Sequence, residues 1–326
     1  MSEPAEIINA VMTPANKLID AVSGAIGKIY EPTHVRKMAD AKAYEIKTIG
    51  QALQNNTNIP IEYTEGNVSA NTKDFDDLVK RAQSRLGYQE ICKQQNIESV
   101  TQKAYLLLSD EKECSEEPVN KDWMIRFFNS VEDISDEDMQ NLWAKILAGE
   151  VKQPKSFSLR TLETLKNLSK DEALLFEKIC KLKITTETDA YFPNYQEYWK
   201  QNGVNFDVLL LLTECGLISV QSDIVSEEVV SNKRIMNLTE NRNIQIMVMN
   251  KNKHDKVLRI KIFPFTKIGI EISKLFECDI SDKNLLLFAK NLRDDLQDEN
   301  SLCYSNDFEL FAYKSTDLKH ENNLLD

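Results

Sequence analysis

Few of the side chains that commonly carry out catalysis are grouped in this sequence. The three histidines, His34, His254 and His320, lie in separate segments, so neither a histidine-based metal site nor a Ser-His-Asp triad is expected. The six cysteines have no paired spacing and no electropositive context; they are Cys92, Cys114, Cys180, Cys215, Cys278 and Cys303. This pattern favours reduced thiols in the cytosol over disulfides, zinc ligands or a cysteine nucleophile.

The carboxylates do not form a catalytic pair either. The acidic clusters Asp136 to Asp138, Asp110 to Glu117 and Asp294-Asp295 fall at predicted helix ends or in loops, where carboxylates act as caps or are solvated. Glu309 and Lys314 are the only strand candidates for a nuclease site, and no partner motif accompanies them. The sequence has no glycine-rich phosphate loop, G-x-S-x-G elbow or H-E-x-x-H helix. We therefore predict no catalytic, cofactor-binding or metal-binding residues, and a protein that is not an enzyme.

The composition is typical of a soluble globular protein with an acidic surface. The chain has 326 residues, of which 42% are hydrophobic and 28% charged, and its formal net charge is −12. A negative field of this kind disfavours broad binding of nucleic acid. The N-terminus does not resemble a signal peptide, and no apolar run is long enough to span a membrane. The sequence predicts a cytoplasmic protein of two or three domains.

Residues 1–54 are predicted to form a pair of amphipathic helices, the first from Pro14 to about Tyr30 and the second from Thr33 to about Leu53. The first helix carries a candidate interaction or membrane face consisting of Leu18, Ile19, Val22, Gly24, Ile26 and Gly27. This face could pack on its own domain or on a second copy of the chain, or it could place residues 14–30 on a membrane surface. Residues 55–71 are polar and rich in turn formers, which predicts a linker or an exposed loop.

Residues 72–183 are predicted to form a helical core domain. After a long first helix, Asp122 is expected to cap the next helix and Ser135 the one after it. Gly149 is expected to end that third helix in a left-handed turn.

The last helix of this core has the clearest start signal. Ser169 followed by Glu172 is the pattern of a capping box. The side of the helix that is expected to be buried consists of Ala173, Leu174, Phe176 and Ile179.

Two stretches of this core, LWAKILAGEV and PKSFSLRTLETLKNLSKDEALLFEKI, resemble the signature of a bacterial family, the domain of unknown function 2806. The stretches QEICKQQNIESVTQKAYLLL and VNKDWMIRFFNSVEDISDEDMQ are similar to that family as well. The similarity is strongest from Arg85 to Leu182 and weaker from Pro32 to Ala43. The resemblance implies a bacterial, soluble, largely helical protein, with no known activity and no catalytic residues to carry over. The candidate structural core of the family motif is Trp123, Phe127, Trp143, Leu147, Gly149 and Arg160.

Residues 184–280 are predicted to form an α+β domain that resembles a winged helix and has an antiparallel sheet. The expected strands are Ile184–Phe192, a strand starting at Leu217–Val220, Val229–Leu238, Ile244–Met249 and Val257–Phe263. The segment from Phe206 to Cys215 would occupy the DNA-recognition position. It has no Lys or Arg, so we expect a buried helix for packing or protein contact instead.

Residues 281–326 are predicted to add a C-terminal helix, a strand and a tail. Asp282 is expected to cap the helix, and the strand, Ser301 to Lys314, is expected to join the preceding sheet. The tail after Thr316 is polar, which is typical of a frayed end.

The sequence leaves three functions open. The leading hypothesis is a non-enzymatic interaction or regulatory protein that acts through protein–protein contacts, with a protein partner or by self-association. The second is a membrane-acting effector, for example in anti-phage defence, that uses the first amphipathic helix. The third and weakest is a regulator that binds DNA through the winged-helix-like part, although nucleic acid is not expected as a partner.

Overall fold

The computed structural model describes residues 13–26, 61–64, 67–70, 72–186, 190–221, 224–232, 234–276, 279–316 and 323–325, with backbone alone between 61 and 76. The chain divides into two compact units, Met1–Leu162 and Glu163–Asp326. The described part of the first unit is helical except for one hairpin, and the second combines helices with antiparallel sheets. A mainly α N-terminal half and an α+β C-terminal half are therefore confirmed. The winged-helix resemblance is not confirmed.

The first unit is built mainly from helices. Its elements are α1 (Pro14–Ile26), β1 (Ile61–Thr64), β2 (Asn67–Ala70), α2 (Thr72–Ser109), α3 (Lys121–Val131), α4 (Glu137–Lys152) and the start of α5 (Leu159–Asn167). α1 packs against α2, α3 and α4, and α2 also packs against α3 and α4. β1 and β2 pair antiparallel, so the predicted linker or loop 55–71 contains a hairpin. The second predicted helix, Thr33 to Leu53, lies outside the described residues.

Two of the predicted helix caps are wrong by one or two residues. At α3 the cap is Asn120, whose side chain accepts a hydrogen bond from the Trp123 amide, and Asp122 lies inside the first turn. At α4 the cap is Asp136, whose carboxylate accepts from the amides of the second and third helical residues, and Ser135 lies outside the helix. In both cases two residues of types that can cap a helix lie within two positions of each other. Only the backbone geometry decides which of them accepts the amide hydrogen bonds.

Gly149 does not end α4, contrary to the prediction, because the helix continues to Lys152. The left-handed conformation falls instead on Lys155, at φ 70°. The carboxylate of Glu150 stabilises this turn by accepting hydrogen bonds from the amides of Lys155 and Phe157. The turn brings the Phe157 ring onto the helix at Gly149, where a side chain would collide with it.

Aromatic side chains from α3 and α4 form the centre of the helical core. The rings of Trp123 and Phe127 stack with centroids 5.2 Å apart, and Phe127 meets Trp143 edge-on at 5.4 Å. The indole nitrogen of Trp123 donates a 2.9 Å hydrogen bond to the Phe157 carbonyl. These contacts tie α3, α4 and the turn after α4 into one packed cluster.

The second unit contains helices and two antiparallel sheets. Its helices after α5 are α6 (Lys170–Cys180), α7 (Gln196–Gln201), α8 (Phe206–Glu214), α9 (Lys267–Ser273) and α10 (Asp282–Gln297). Its strands are β3 (Ile184–Thr185), β4 (Ala190–Pro193), β5 (Val225–Val230), β6 (Ile235–Glu240), β7 (Ile244–Asn250), β8 (Lys256–Pro264) and β9 (Phe308–Lys314). One sheet has the order β3-β4-β8-β5 and the other β6-β7-β9.

The capping box predicted at the start of α6 is confirmed. The Ser169 hydroxyl accepts from the amide of Glu172, and the Glu172 carboxylate accepts from the amide of Ser169 at 2.7 Å. Both partners lie three residues apart, so the pattern is fully contained in the local sequence.

Three predicted strands are wrong in extent. Ile184–Phe192 is split into β3 and β4, which pair with each other. Val229–Leu238 is split between β5 and β6, which belong to different sheets. The strand predicted from Leu217 is reduced to one bridge between Ile218 and Phe265. An alternation of apolar residues indicates extended chain but does not mark where that chain reverses.

The C-terminal elements differ from prediction in three details. Ser281, not Asp282, caps α10. The strand predicted from Ser301 to Lys314 begins only at Phe308, although it does join the preceding strands, since β9 pairs with β7. The described end of the tail is not frayed, because the Leu324 amide donates to the Ala312 carbonyl in β9 at 2.8 Å and Leu325 is buried.

Candidate interaction site

The predicted interaction or membrane face of α1 is divided by the packing of this helix in the first unit. Leu18 and Val22 are buried, as is the stem of Lys17, whose ammonium group donates a 2.8 Å hydrogen bond to the Ser115 carbonyl. The other described residues of the predicted face are exposed Ile19, exposed Gly24 and half-buried Ile26. Gly27 lies outside the described residues.

The predicted core of the family motif is found mostly in the interior of the helical unit. Trp123, Phe127, Trp143 and Leu147 are buried, and Gly149 contacts the Phe157 ring. Arg160, in contrast, is exposed. The buried residues of this set therefore position elements and are not available to a ligand.

The second unit exposes large apolar side chains that the sequence predicts to be buried. In α8, Leu209 and Leu212 are fully buried, but Phe206 is 50% exposed and Leu210 is 43% exposed. In α6, Leu174 is 52% exposed, although it was expected on the buried side. The prediction is wrong for Phe206 and Leu210 because a nine-residue helix with apolar residues around most of its circumference can bury only one of its faces.

A cleft of about 450 Å³ is lined by residues of α5, α6 and α8, among them Leu211, which follows the exposed Leu210 in the chain. α5 contributes Glu163, Thr164 and Asn167 to its wall, and α6 contributes Glu172. The α8 side provides Leu211, Glu214 and Cys215. α6 and α8 run antiparallel, because the Lys178 ammonium donates to the Gly203 carbonyl at one end and Glu172 interacts with Cys215 at the other.

The electrostatics of the cleft favour a cation and disfavour nucleophilic chemistry. Hydrogen bonds from the Ser169 amide and hydroxyl lower the pKa of Glu172, so this carboxylate is ionised at neutral pH. Burial, followed by the charges of Glu172 and Glu214, raises the pKa of the Cys215 thiol to about 11. A protonated thiol is a poor nucleophile. The described lining of the cleft contributes three glutamates beside this thiol.

A second polar cluster, which sequence reasoning missed, lies between β8 and α10. Asp295 accepts hydrogen bonds from the Lys261 ammonium at 2.7 Å and from the Ser301 hydroxyl at 2.6 Å. Burial, together with Asp295, raises the pKa of the nearby Cys303 thiol to about 12. Cys303 and the neighbouring Tyr195 are buried, and hydrogen-bonded polar groups in such a setting stabilise the fold. The partners come from distant segments, and no short motif marks them.

In the described part of the chain, no three residues among His, Cys, Asp and Glu are placed so that they could hold a metal ion. In the same part, every helix is too short or too polar to cross a bilayer.

The fold defines an α+β protein, and the described cleft of its second unit combines acidic and apolar side chains. The sequence model of one family, described as "Protein of unknown function (DUF2806)", matches residues 80–286. The chain belongs to this family. The resemblance seen in the sequence is thereby confirmed, and the match extends beyond Leu182 into the part where no motif was recognised. Comparison with curated proteins and with solved structures finds no match.

Proposed function

We propose that this protein acts through protein–protein contacts and does not catalyse a reaction. The observation that supports this proposal is the pair of apolar side chains, Phe206 and Leu210, that α8 leaves exposed next to the cleft. Contiguous exposed apolar surface with a polar rim is typical of sites that bind another protein. The Cys215 thiol, whose pKa is raised to about 11, is a poor nucleophile, and the lowered pKa of Glu172 gives the cleft a carboxylate that can bind a cationic group.

The charge of this surface supports a protein partner over nucleic acid. α8 carries Asp207 and Glu214 and has no basic residue, and the whole chain has a formal charge of −12. A helix that enters the major groove needs basic or polar side chains to meet phosphates and bases. We place the protein in the cytoplasm, in line with its composition.

The membrane-acting alternative would use α1. Leu18 and Val22 of that helix are buried within the first unit, so the alternative requires α1 to leave its site and expose them. This step would cost the burial energy of both side chains, about 2 kcal/mol each. We therefore keep the membrane effector, with its possible role in anti-phage defence, as the second proposal.

The test is a native capture experiment with the full-length tagged protein and two variants. Phe206→Ser with Leu210→Ser removes the apolar surface of α8. Tyr88→Ser with Leu106→Ser is the control, since these residues are also exposed on a helix. We expect one stoichiometric protein to co-purify with the wild type and the control and to be lost with the α8 variant. The same protein, once purified, should bind the purified wild type directly. Turnover of a substrate that a single substitution abolishes would contradict the proposal.

A further inference from the structure

We infer that the acidic cleft and the exposed face of α8 bind a basic amphipathic segment of a partner protein, in which lysine or arginine lies beside an apolar stripe. This inference rests on the proposed function and specifies the partner's chemistry. The observation that supports it is the order of residues along α8, where exposed apolar side chains are followed by an acidic residue of the cleft.

The apolar residues lead directly into the cleft. Phe206, Leu210 and Glu214 are spaced four residues apart, so they form one row along the surface of α8. The first two are exposed apolar side chains and the third lines the cleft. A bound segment that covers Phe206 and Leu210 therefore places its next residues over the carboxylate of Glu214.

The opposite wall of the cleft provides further acceptors. Glu163 and Asn167 are also four residues apart, so they lie on one face of α5, and both line the cleft with Thr164. Leu168 and Leu211 give the cleft apolar lining as well. Lysine and arginine have an apolar stem and a cationic end, and these side chains match a site with leucine on its walls and carboxylates around it.

Charge complementarity selects this partner over the other classes. Three of the described lining residues are glutamates, and none of the described ones is a lysine or arginine. An acidic peptide, a nucleic acid or an anionic lipid surface would bring like charges together, which disfavours binding. A purely apolar segment would cover Phe206 and Leu210 but would leave the carboxylates of the cleft without a counter-charge.

Synthetic helical peptides test the inference on the full-length protein. The first has leucine along one face and lysine at the border of that face, the second has glutamate in place of lysine, and the third has the composition of the first with the leucines dispersed around the helix. Binding is measured by fluorescence anisotropy at two salt concentrations.

Two triple variants of the protein are compared. The cleft variant is Glu163→Gln/Glu172→Gln/Glu214→Gln. The control, which loses the same charge at exposed positions, is Glu113→Gln/Glu299→Gln/Glu309→Gln. Gln at position 172 preserves the capping box.

The leucine–lysine peptide is expected to bind the wild type and the control with equal affinity. Binding should weaken about tenfold for the cleft variant, because exposed charge pairs each make only a modest contribution to affinity. It should also weaken with salt and with Phe206→Ser/Leu210→Ser. The other two peptides should bind at least tenfold more weakly.

Three outcomes would overturn the inference. They are equal binding to both Gln variants, tighter binding of the leucine–glutamate peptide, and no binding of any peptide.

Sedimentation of the protein without peptide tests whether the chain binds a second copy of itself. Concentration-dependent self-association that Phe206→Ser/Leu210→Ser abolishes would assign the surface to a second copy of the chain. Each of these results would leave the proposed function standing, because that proposal depends on the capture experiment.

Discussion

Cε2 of the Phe157 ring lies 2.8 Å from the position that a Cβ atom would occupy on Gly149. The glycine therefore serves close packing and not helix termination. The contact joins α4 to the turn stabilised by Glu150, and it lies next to the Trp123–Phe127–Trp143 cluster.

Replacing Gly149 with alanine should destabilise the helical unit. The new methyl group would collide with a buried ring, and overpacking of this kind costs about 1–3 kcal/mol. The control is Gly87→Ala in α2, where the added Cβ meets nothing within 4 Å. Because alanine favours helix, this control should gain up to about 1 kcal/mol. Thermal unfolding followed by circular dichroism compares the two. A stable Gly149→Ala protein would show that the Phe157 ring moves freely.

The pair formed by Lys261 and Asp295 should contribute more to stability than other ion pairs of β8. Lys261→Met leaves the Asp295 carboxylate, whose side chain is 9% exposed, without its cation, which should cost about 2 kcal/mol. Arg259→Met in the same strand breaks a pair in which both partners are more than half exposed, and should cost less than about 1 kcal/mol. Urea unfolding measures both variants. Equal losses would contradict the role of the buried cluster.

The two sides of α1 should respond differently to truncation. Leu18→Ala removes a fully buried side chain and should cost about 2–5 kcal/mol. Ile19→Ala removes a side chain that is 47% exposed and should cost less than about 1 kcal/mol. Unfolding of each variant checks the stability, and flotation with anionic vesicles checks the membrane alternative. Vesicle binding that depends on Leu18 in the folded protein would favour a membrane effector.

The thiol of Cys215 should react slowly with iodoacetamide at pH 8. Its pKa of about 11 gives roughly a hundredfold fewer thiolates than an ordinary cysteine at that pH. Reactivity should rise with pH until the pKa is passed, because only the thiolate reacts. Glu172→Gln/Glu214→Gln should accelerate the reaction at pH 8 by removing two charges that raise the pKa, whereas Glu197→Gln/Glu299→Gln should not. Peptide mapping by mass spectrometry follows this one cysteine. A plateau below pH 9 would contradict the assigned electrostatics.

Features that depend on nearby residues were predictable from the sequence. The capping box of Ser169 and Glu172 was found because both partners lie three residues apart. The division into a helical half and an α+β half followed from periodicity. Gly149 was predicted to end its helix, and this was wrong, because its packing against Phe157 depends on a turn that the pattern does not show.

Features that depend on distant residues were not predictable. Lys261 and Asp295 are 34 residues apart, and neither stands out in its own segment. The cleft requires three helices, and only one signal pointed to it, the apolar residues on all sides of α8. Phe206 and Leu210 were assigned to the interior because an apolar helix is normally buried. A nine-residue helix with this composition has more apolar surface than one packing face can cover.

The most direct test of the central claim, that α8 and the adjoining cleft form a protein-binding surface, is hydrogen–deuterium exchange of the full-length protein with and without its captured partner. We predict that the partner slows exchange in α8 and in the parts of α5 and α6 that line the cleft, with β9 unchanged. A stable complex in which exchange of Phe206 to Glu214 is the same as in the free protein would contradict the account.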